Sequence, residues 1–268
     1  MNTVQSLTRY YENYDEDGRL GFRHGQPEFR TTVHYVEKYL QSGMRILEIG
    51  AGTGRYSHYF ARNGYSVDAV ELIPHNIEIF RRNTTAGENV TVTERNAVDL
   101  AGFADDTYDI TLLLGPMYHL YTREEQRQAL AEAIRVTKPG GVIFAAYCNN
   151  DMTIYQYCFG KGKMEEVLER GMIDPITFET KSTPAEIFQL YRRENIDALM
   201  AEFDVTRLHY IGTDMLTRCF TEVVDGLNEQ QFEVYMRYHL SICERSDMTG
   251  LSHHMLDVFR KNGDPTQP

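Results

Sequence analysis

Between residues 44 and 147, short apolar runs alternate with stretches whose apolar residues recur at helical spacing. The runs are MRILEIG (44–50), SVDAVE (66–71), NVTVTE (89–94), YDITLLL (108–114) and GVIFAAY (141–147). Near-continuous apolar character suits strands buried on both faces of a parallel sheet. The clearest helix start is TREE, a capping box from Thr122 to Glu125, with the helix continuing to about Val136 before KPGG (138–141) turns the chain into the fifth strand. Such alternation predicts a doubly wound α/β fold with right-handed crossovers. The rhythm breaks over 148–204, which reads as a mostly helical lid over the strand ends, with one helix opened by TPAE (183–186) and Pro184 in its first turn. Two further strands are predicted at 204–212 and 253–261, giving a mostly parallel sheet of seven. Between them, Phe232, Tyr235, Met236, His239 and Cys243 share one helical face.

These patterns divide a single domain, 1–268, into a helical N-terminal cover (1–43), a core (44–147), the lid (148–204) and a C-terminal part (205–268) that completes the sheet. A length of 268 residues and 42% hydrophobic residues allow a large core, no internal repeat is visible, and the tail NGDPTQP is expected to fray. A net charge of −12 argues against a nucleic-acid partner. Cys148, Cys158, Cys219 and Cys243 are widely spaced, as expected for reduced thiols in a cytoplasmic protein rather than a zinc site or disulfide framework. The N-terminus has no apolar signal-peptide core, and no run is long enough to span a membrane.

Chemistry concentrates in ILEIGAGTGRYS, where Gly50, Gly52 and Gly54 join the first strand to its helix. Open α/β sheets bind ligands at such bends, and glycine lets a ligand approach the backbone closely. A dinucleotide fingerprint would need a third glycine at position 55, which is Arg55, and no GK[ST] phosphate loop is present. The spacing E-x-G-x-G-x-G, with Glu71 ending the second strand, NAVDL after the third, YDITLLLGPMYHL at the fourth and VTKPGGVIFAAY leading through the fifth, resembles class I S-adenosylmethionine-dependent methyltransferases. The resemblance implies a Rossmann-like methyltransferase fold and S-adenosyl-L-methionine as cofactor, leaving S-adenosyl-L-homocysteine as product. It places Glu71 on the ribose hydroxyls, Gly50, Gly52, Gly54, Leu72 and Leu114 around the cofactor, and Asn96 and Ala97 at the adenine. The family often has Asp-Ala where this chain has Asn96-Ala97, so Asp99 is expected to share the adenine contact. Glu48, inside the first strand, is expected to bond loop amides, because an unpaired buried carboxylate is costly.

Methyl transfer is an in-line displacement, so alignment comes first and a base is needed only when the nucleophile must lose a proton. At the end of the fourth strand His119 is the candidate base and Tyr118 a candidate wall of the pocket, with packing under the lid as the alternative for His119. Tyr11, Tyr14 and Arg23 in the cover, and Tyr147 at the end of the fifth strand, are candidate acceptor-binding residues. His253 and His254 alternate faces and are expected to form a surface pair, with one of them reaching the pocket as the alternative. LGPM does not match the NPPY or DPPY of amino-group methylases of adenine or glutamine. NND (149–151) has no acidic counterpart after the fourth strand, so no metal is expected. The expectation is a methyltransferase for O, N or S of a small organic acceptor, acting as a monomer or homodimer without nucleic acid or membrane. An RNA methyltransferase and a non-catalytic S-adenosylmethionine-binding regulatory protein are the alternatives.

Overall fold

The computed structural model describes residues 3–263. Its strands are β1 (Arg45–Ile49), β2 (Ser66–Glu71), β3 (Val90–Glu94), β4 (Tyr108–Leu113), β5 (Thr137–Asn149), β6 (Leu190–Tyr191), β7 (Val205–Gly212) and β8 (His254–Lys261). The order is β3-β2-β1-β4-β5-β8-β7, with β6 pairing beside β5. Among the described strands, β8 alone runs opposite to the others, antiparallel to both β5 and β7. The seven expected strands are present within a few residues, and the two-residue β6 is additional. The order reverses between β1 and β4, which opens a crevice above their C-terminal ends.

The α-helices are α1 (Thr3–Tyr11), α2 (Glu16–Arg19), α3 (Gln26–Glu37), α4 (Arg55–Arg62), α5 (Pro74–Asn83), α6 (Arg123–Val136), α7 (Asn150–Thr153), α8 (Met164–Glu169), α9 (Arg193–Met200), α10 (Thr221–Asp225) and α11 (Glu229–Ile242). Alternation along β1 assigns its side chains to two cores. Leu47 and Ile49 pack with Ala129, Leu130 and Val136 of α6, while Ile46 packs with Val33 and Val36 of α3 and Phe60 of α4. The expected capping box starts α6, with Thr122 accepting from the Glu125 amide and Glu125 bonding back to the Thr122 amide. In α11, Phe232, Met236 and His239 are buried as the helical spacing requires.

Three local expectations need correction. KPGG lies inside β5 as an irregularity: Tyr108 pairs with Thr137 and Ile110 with Val142, leaving the residues between them to loop out. TPAE makes the bonds of a cap, including Thr183 hydroxyl to Glu186, yet forms only one turn. Ile187 follows at φ 70°, in the left-handed region that a continuing helix excludes. The lid is also less helical than expected: α7, a π-helical turn (Ile154–Phe159), α8 and α9 flank the irregular stretch 170–189. Asp264–Pro268 of the tail expected to fray lie outside the described residues. No described helix is long and apolar enough to cross a membrane.

Candidate active site

A cavity of about 930 Å³ occupies the crevice, walled by the cover, the glycine bend, the ends of β2 and β4, the lid and the start of β8. The three glycines serve different needs. A Cβ on Gly50 would lie 2.4 Å from Pro116 Cδ, and one on Gly54 would meet Phe80 and His58, so these two glycines permit close packing behind the bend. Gly52, at φ 55°, lines the cavity, and a Cβ there would meet nothing nearer than Glu16 Cγ at 3.5 Å. The bare backbone that a ligand requires is therefore mainly Gly52, with Gly50 beside it.

Glu71 is 6% exposed, and its carboxylate accepts the Gly52 amide at 2.7 Å, the Ile73 amide at 2.9 Å and Asn76 Nδ2 at 3.4 Å. Burial pushes its pKa up, and these bonds hold it back. The carboxylate is thus fixed at the mouth of the bend, at the end of β2. Glu48 lies beneath, accepting from the Ser57 hydroxyl and from the Ser57 backbone amide, at the start of the helix that follows the loop. Burial pushes Glu48 up to about 8, so at neutrality it is largely protonated and carries little buried charge. Leu72, Asn96, Ala97 and Leu114 all line the cavity. Asp99 does not: its carboxylate accepts the Ala101 amide at 3.0 Å and so closes a local turn.

Beyond Leu114, the 3₁₀ turn Pro116–His119 presents Tyr118 and His119 to the cavity. His119 Nδ1 lies 3.0 Å from the Ile187 carbonyl, which can only accept, so Nδ1 carries the proton. Nε2 is then the acceptor for the Tyr11 hydroxyl at 2.9 Å. Burial drives His119 down to about 4, leaving a neutral imidazole across the physiological range. Rings of Tyr10, Tyr11, Tyr14, Tyr118 and Phe188 gather around it, with Phe188 5.4 Å from the His119 ring. Tyr11 and Tyr14 therefore reach the cavity from the cover, as the sequence placed them.

Two of the acceptor-binding candidates do not reach it, and neither does Gly54 of the cofactor candidates. Arg23 bonds the Leu227 carbonyl and Glu229 and lies over the Phe232 ring, 5.1 Å from its centroid, because its turn packs against α10 and α11. Tyr147 is fully buried in the main core, its ring 5.1 Å from Tyr191 and its hydroxyl 3.9 Å from Met200 Sδ. The acid after β5 is also committed elsewhere: Asp151 pairs with Arg192, while Asn149 at the end of β5 caps α7.

Among the arginines that line the cavity is Arg19, whose Nη1 contacts both Glu28 oxygens at 2.8 Å while Nε bonds Glu16 at 3.1 Å. Glu28 leads to His254, whose Nδ1 lies 2.9 Å from Asp214 Oδ2 and 3.3 Å from Glu28 Oε2. His254 is thus part of a buried ion network lining the cavity, and the expected surface pair is overturned. Burial opposes its charge, but Glu28, Cys148 and Asp214 push it up to about 10. Burial opposes ionisation of Glu28 as well, yet Arg19, His254 and Arg218 hold it at about 2. Asp214 accepts from the Ser252 hydroxyl, two backbone amides, His254 and Arg218. Glu28, Asp214 and His254 also have metal-ligand spacing, but their facing atoms are already engaged with Arg19, with Arg218 and with one another. Sequence reasoning missed this network because Arg19, Glu28, Asp214 and His254 carry no common spacing and meet only in the folded chain.

The strand order, the bend and the acid at the end of β2 define a nucleoside-binding α/β domain. Residues 46–141 match the family model described as methyltransferase domain. Demethylmenaquinone methyltransferase from Clavibacter sepedonicus is 37% identical over 103 residues, covering 38% of this chain and 40% of that protein. An S-adenosyl-L-methionine-dependent Diels-Alderase from Talaromyces variabilis is 30% identical over 106 residues, covering 38% of this chain and 35% of that protein. The N-methyltransferase NodS from Bradyrhizobium japonicum WM9, solved with S-adenosyl-L-homocysteine, superposes with a TM-score of 0.59 at 15% identity, covering 98% of this chain and 100% of that one. Over residues 46–141 the chain is thus similar to a methyltransferase domain, and its fold is that of the S-adenosyl-L-homocysteine-bound neighbour. The chain spans less than half the length of these two curated relatives.

Proposed function

We propose that the protein transfers a methyl group from S-adenosyl-L-methionine to an O, N or S atom of a small organic acceptor. The observation that carries this reading is the continuity of one cavity from the Gly52–Glu71 cradle to the Tyr11–His119 pair. The open face of Gly52 and the fixed carboxylate of Glu71 fit a ribose diol, and Asn96 and Ala97 stand where an adenine edge would lie. When bound, the cofactor supplies a methyl group activated on a sulfonium. Electron-rich faces of Tyr11, Tyr14 and Tyr118 suit a cationic centre, and a neutral His119 adds no opposing charge.

His119 has a weak driving force as a base at neutrality, because its pKa is about 4. Its role in this reading is to accept the Tyr11 O–H, which turns the phenol oxygen's remaining lone pairs toward the acceptor. An acceptor O–H or N–H bonded to that oxygen would have its own lone pair held in one direction. Catalysis then rests chiefly on alignment.

The test is transfer of isotopically labelled methyl from S-adenosyl-L-methionine to a panel of phenols, amines and thiols, alongside gel-shift titration with tRNA. Labelled small-molecule product, with tRNA bound no tighter than ~10⁻⁴ M near physiological salt, is expected. Tight cofactor binding without transfer to any class would favour a non-methylating role, and micromolar tRNA binding with a steep salt slope would favour RNA as acceptor.

A further inference from the structure

The cavity has a second end that the methyl-transfer reading does not use. In the lid, Ile154, Cys158, Val167 and Ile173 form a small buried cluster of their own, with Met164 and Met172 packed against it. All of these except Met164 line the cavity. Several nearby polar side chains are engaged elsewhere: Arg170 with Glu186, Lys181 with Asp174, and Gln156 with the Arg218 carbonyl. Thr180 Oγ1 and His253 Nε2 are buried without a partner at the edge of this wall, whose centre is the apolar cluster.

The π-helical turn makes the pattern sharper. Ile154 and Cys158 face inward, while Tyr155 and Phe159 are 71% and 61% exposed, so this turn is apolar on both sides. Ile176 nearby is 86% exposed. A surface helix ordinarily has one apolar stripe and a polar opposite face. Apolar residues on the outer surface and the inner wall of one lid suit a ligand that is itself apolar and enters past it. Volume agrees, since about 930 Å³ lies near the top of the roughly 300–1,000 Å³ that pockets for one drug-sized ligand occupy.

We propose that the acceptor is an amphiphile: its hydroxyl or amine sits at Tyr11–His119, and its apolar body lies against Ile154, Val167, Met172 and Ile173. This rests on the methyltransferase reading for the position of the head group. A small zwitterion would leave the apolar cluster of the lid wall facing water.

The probe is a series of 4-alkylphenols from ethyl to octyl, titrated calorimetrically into the full chain saturated with S-adenosyl-L-homocysteine. Kd is expected to fall about fourfold per added methylene until the chamber is full, with a negative heat-capacity change. Ile154→Asn and Met172→Gln should flatten that dependence, with S-adenosyl-L-homocysteine affinity on the same samples reporting an intact fold. If Ile154→Asn fails to fold, Met172→Gln, at a partly exposed position, decides the location. Affinity independent of chain length, no alkylphenol binding, or an unchanged dependence in folded Met172→Gln would each overturn the proposal. Failure of the cofactor reading would appear separately, as absence of S-adenosyl-L-homocysteine binding to the wild type.

Discussion

Glu71 and His119 are both buried titratable groups at strand ends, yet their surroundings prepare them for opposite work. Glu71 is surrounded by donors that offset part of the rise burial causes in its pKa, and the proposed reading assigns its carboxylate to the two hydroxyls of a ribose. Glu71→Ala should weaken S-adenosyl-L-methionine binding by about 1.5–3 kcal/mol, the scale of a hydrogen bond to a charged group. Calorimetry on the folded variant would measure it, and unchanged affinity would remove Glu71 from the cofactor site. His119 is surrounded by rings and one carbonyl, which favour its neutral form. The wild-type rate should therefore show no ionisation limb near pH 6.5, contrary to what an ordinary histidine base gives. His119→Ala and Tyr11→Phe should each lower kcat by about 10²-fold through misalignment. A wild-type limb near neutrality that disappears in His119→Ala would instead identify a general base.

At the scale of elements, Asp214 ties the segment after β7 to the start of β8 and, through Arg218 and His254, to Glu28 of α3. Its carboxylate is held well below the usual range, because His254 and Arg218 outweigh the effect of burial. Asp214→Asn leaves both cations with one carboxylate fewer in a buried setting. Breaking such a pair costs about 3–5 kcal/mol. Urea denaturation should show this loss, and the His254 imidazole, followed by NMR, should titrate below its wild-type value of about 10. Equal stability and an unmoved titration would mean that α3 and β8 are joined by apolar packing alone. The cover is joined to the same network through Arg19, which pairs with both Glu16 and Glu28.

Over the whole molecule, buried titratable groups set the pH range of stability. His119, His239 and His253 are each pushed down to about 4 by burial. The unfolded chain therefore binds more protons at these sites between about 6.5 and 4, and their contribution to stability is lost as pH falls through that window. Glu48, raised to about 8, and Glu71 and Asp257, both raised by burial, run the other way and offset part of the histidines' effect. His254 contributes stability that is fully present below about 6.5 and is lost as pH rises through about 10. Thermal unfolding should thus show highest stability near pH 6.5, with a slope of about 1.4 kcal/mol per pH unit for each unbalanced proton on either side. A melting temperature that is level from pH 4.5 to 9 would contradict this balance.

Seven strands, the capped helix α6, the buried face of α11 and the glycine bend were legible in the sequence because each rests on local signals: apolar runs, capping chemistry and residues with special backbone freedom. Glu71, Asn96, Ala97, Tyr11 and His119 were also legible as cavity residues, since strand ends and the motif order place them together. Other features were not local. TPAE has the chemistry of a helix start, but the left-handed Ile187 ends it after one turn, and β6 is too short to leave a pattern. Arg23 and Arg19 are equally plausible in sequence; packing against α10 and α11 takes the first away, while Glu28 draws the second into the cavity. His254 reads as a strand-end surface residue until Asp214 and Glu28 arrive from other elements and hold its charge. Periodicity and turn chemistry determined the scaffold and the cradle. Tertiary structure alone decided which charges meet, because burial and pairing depend on neighbours distant along the chain.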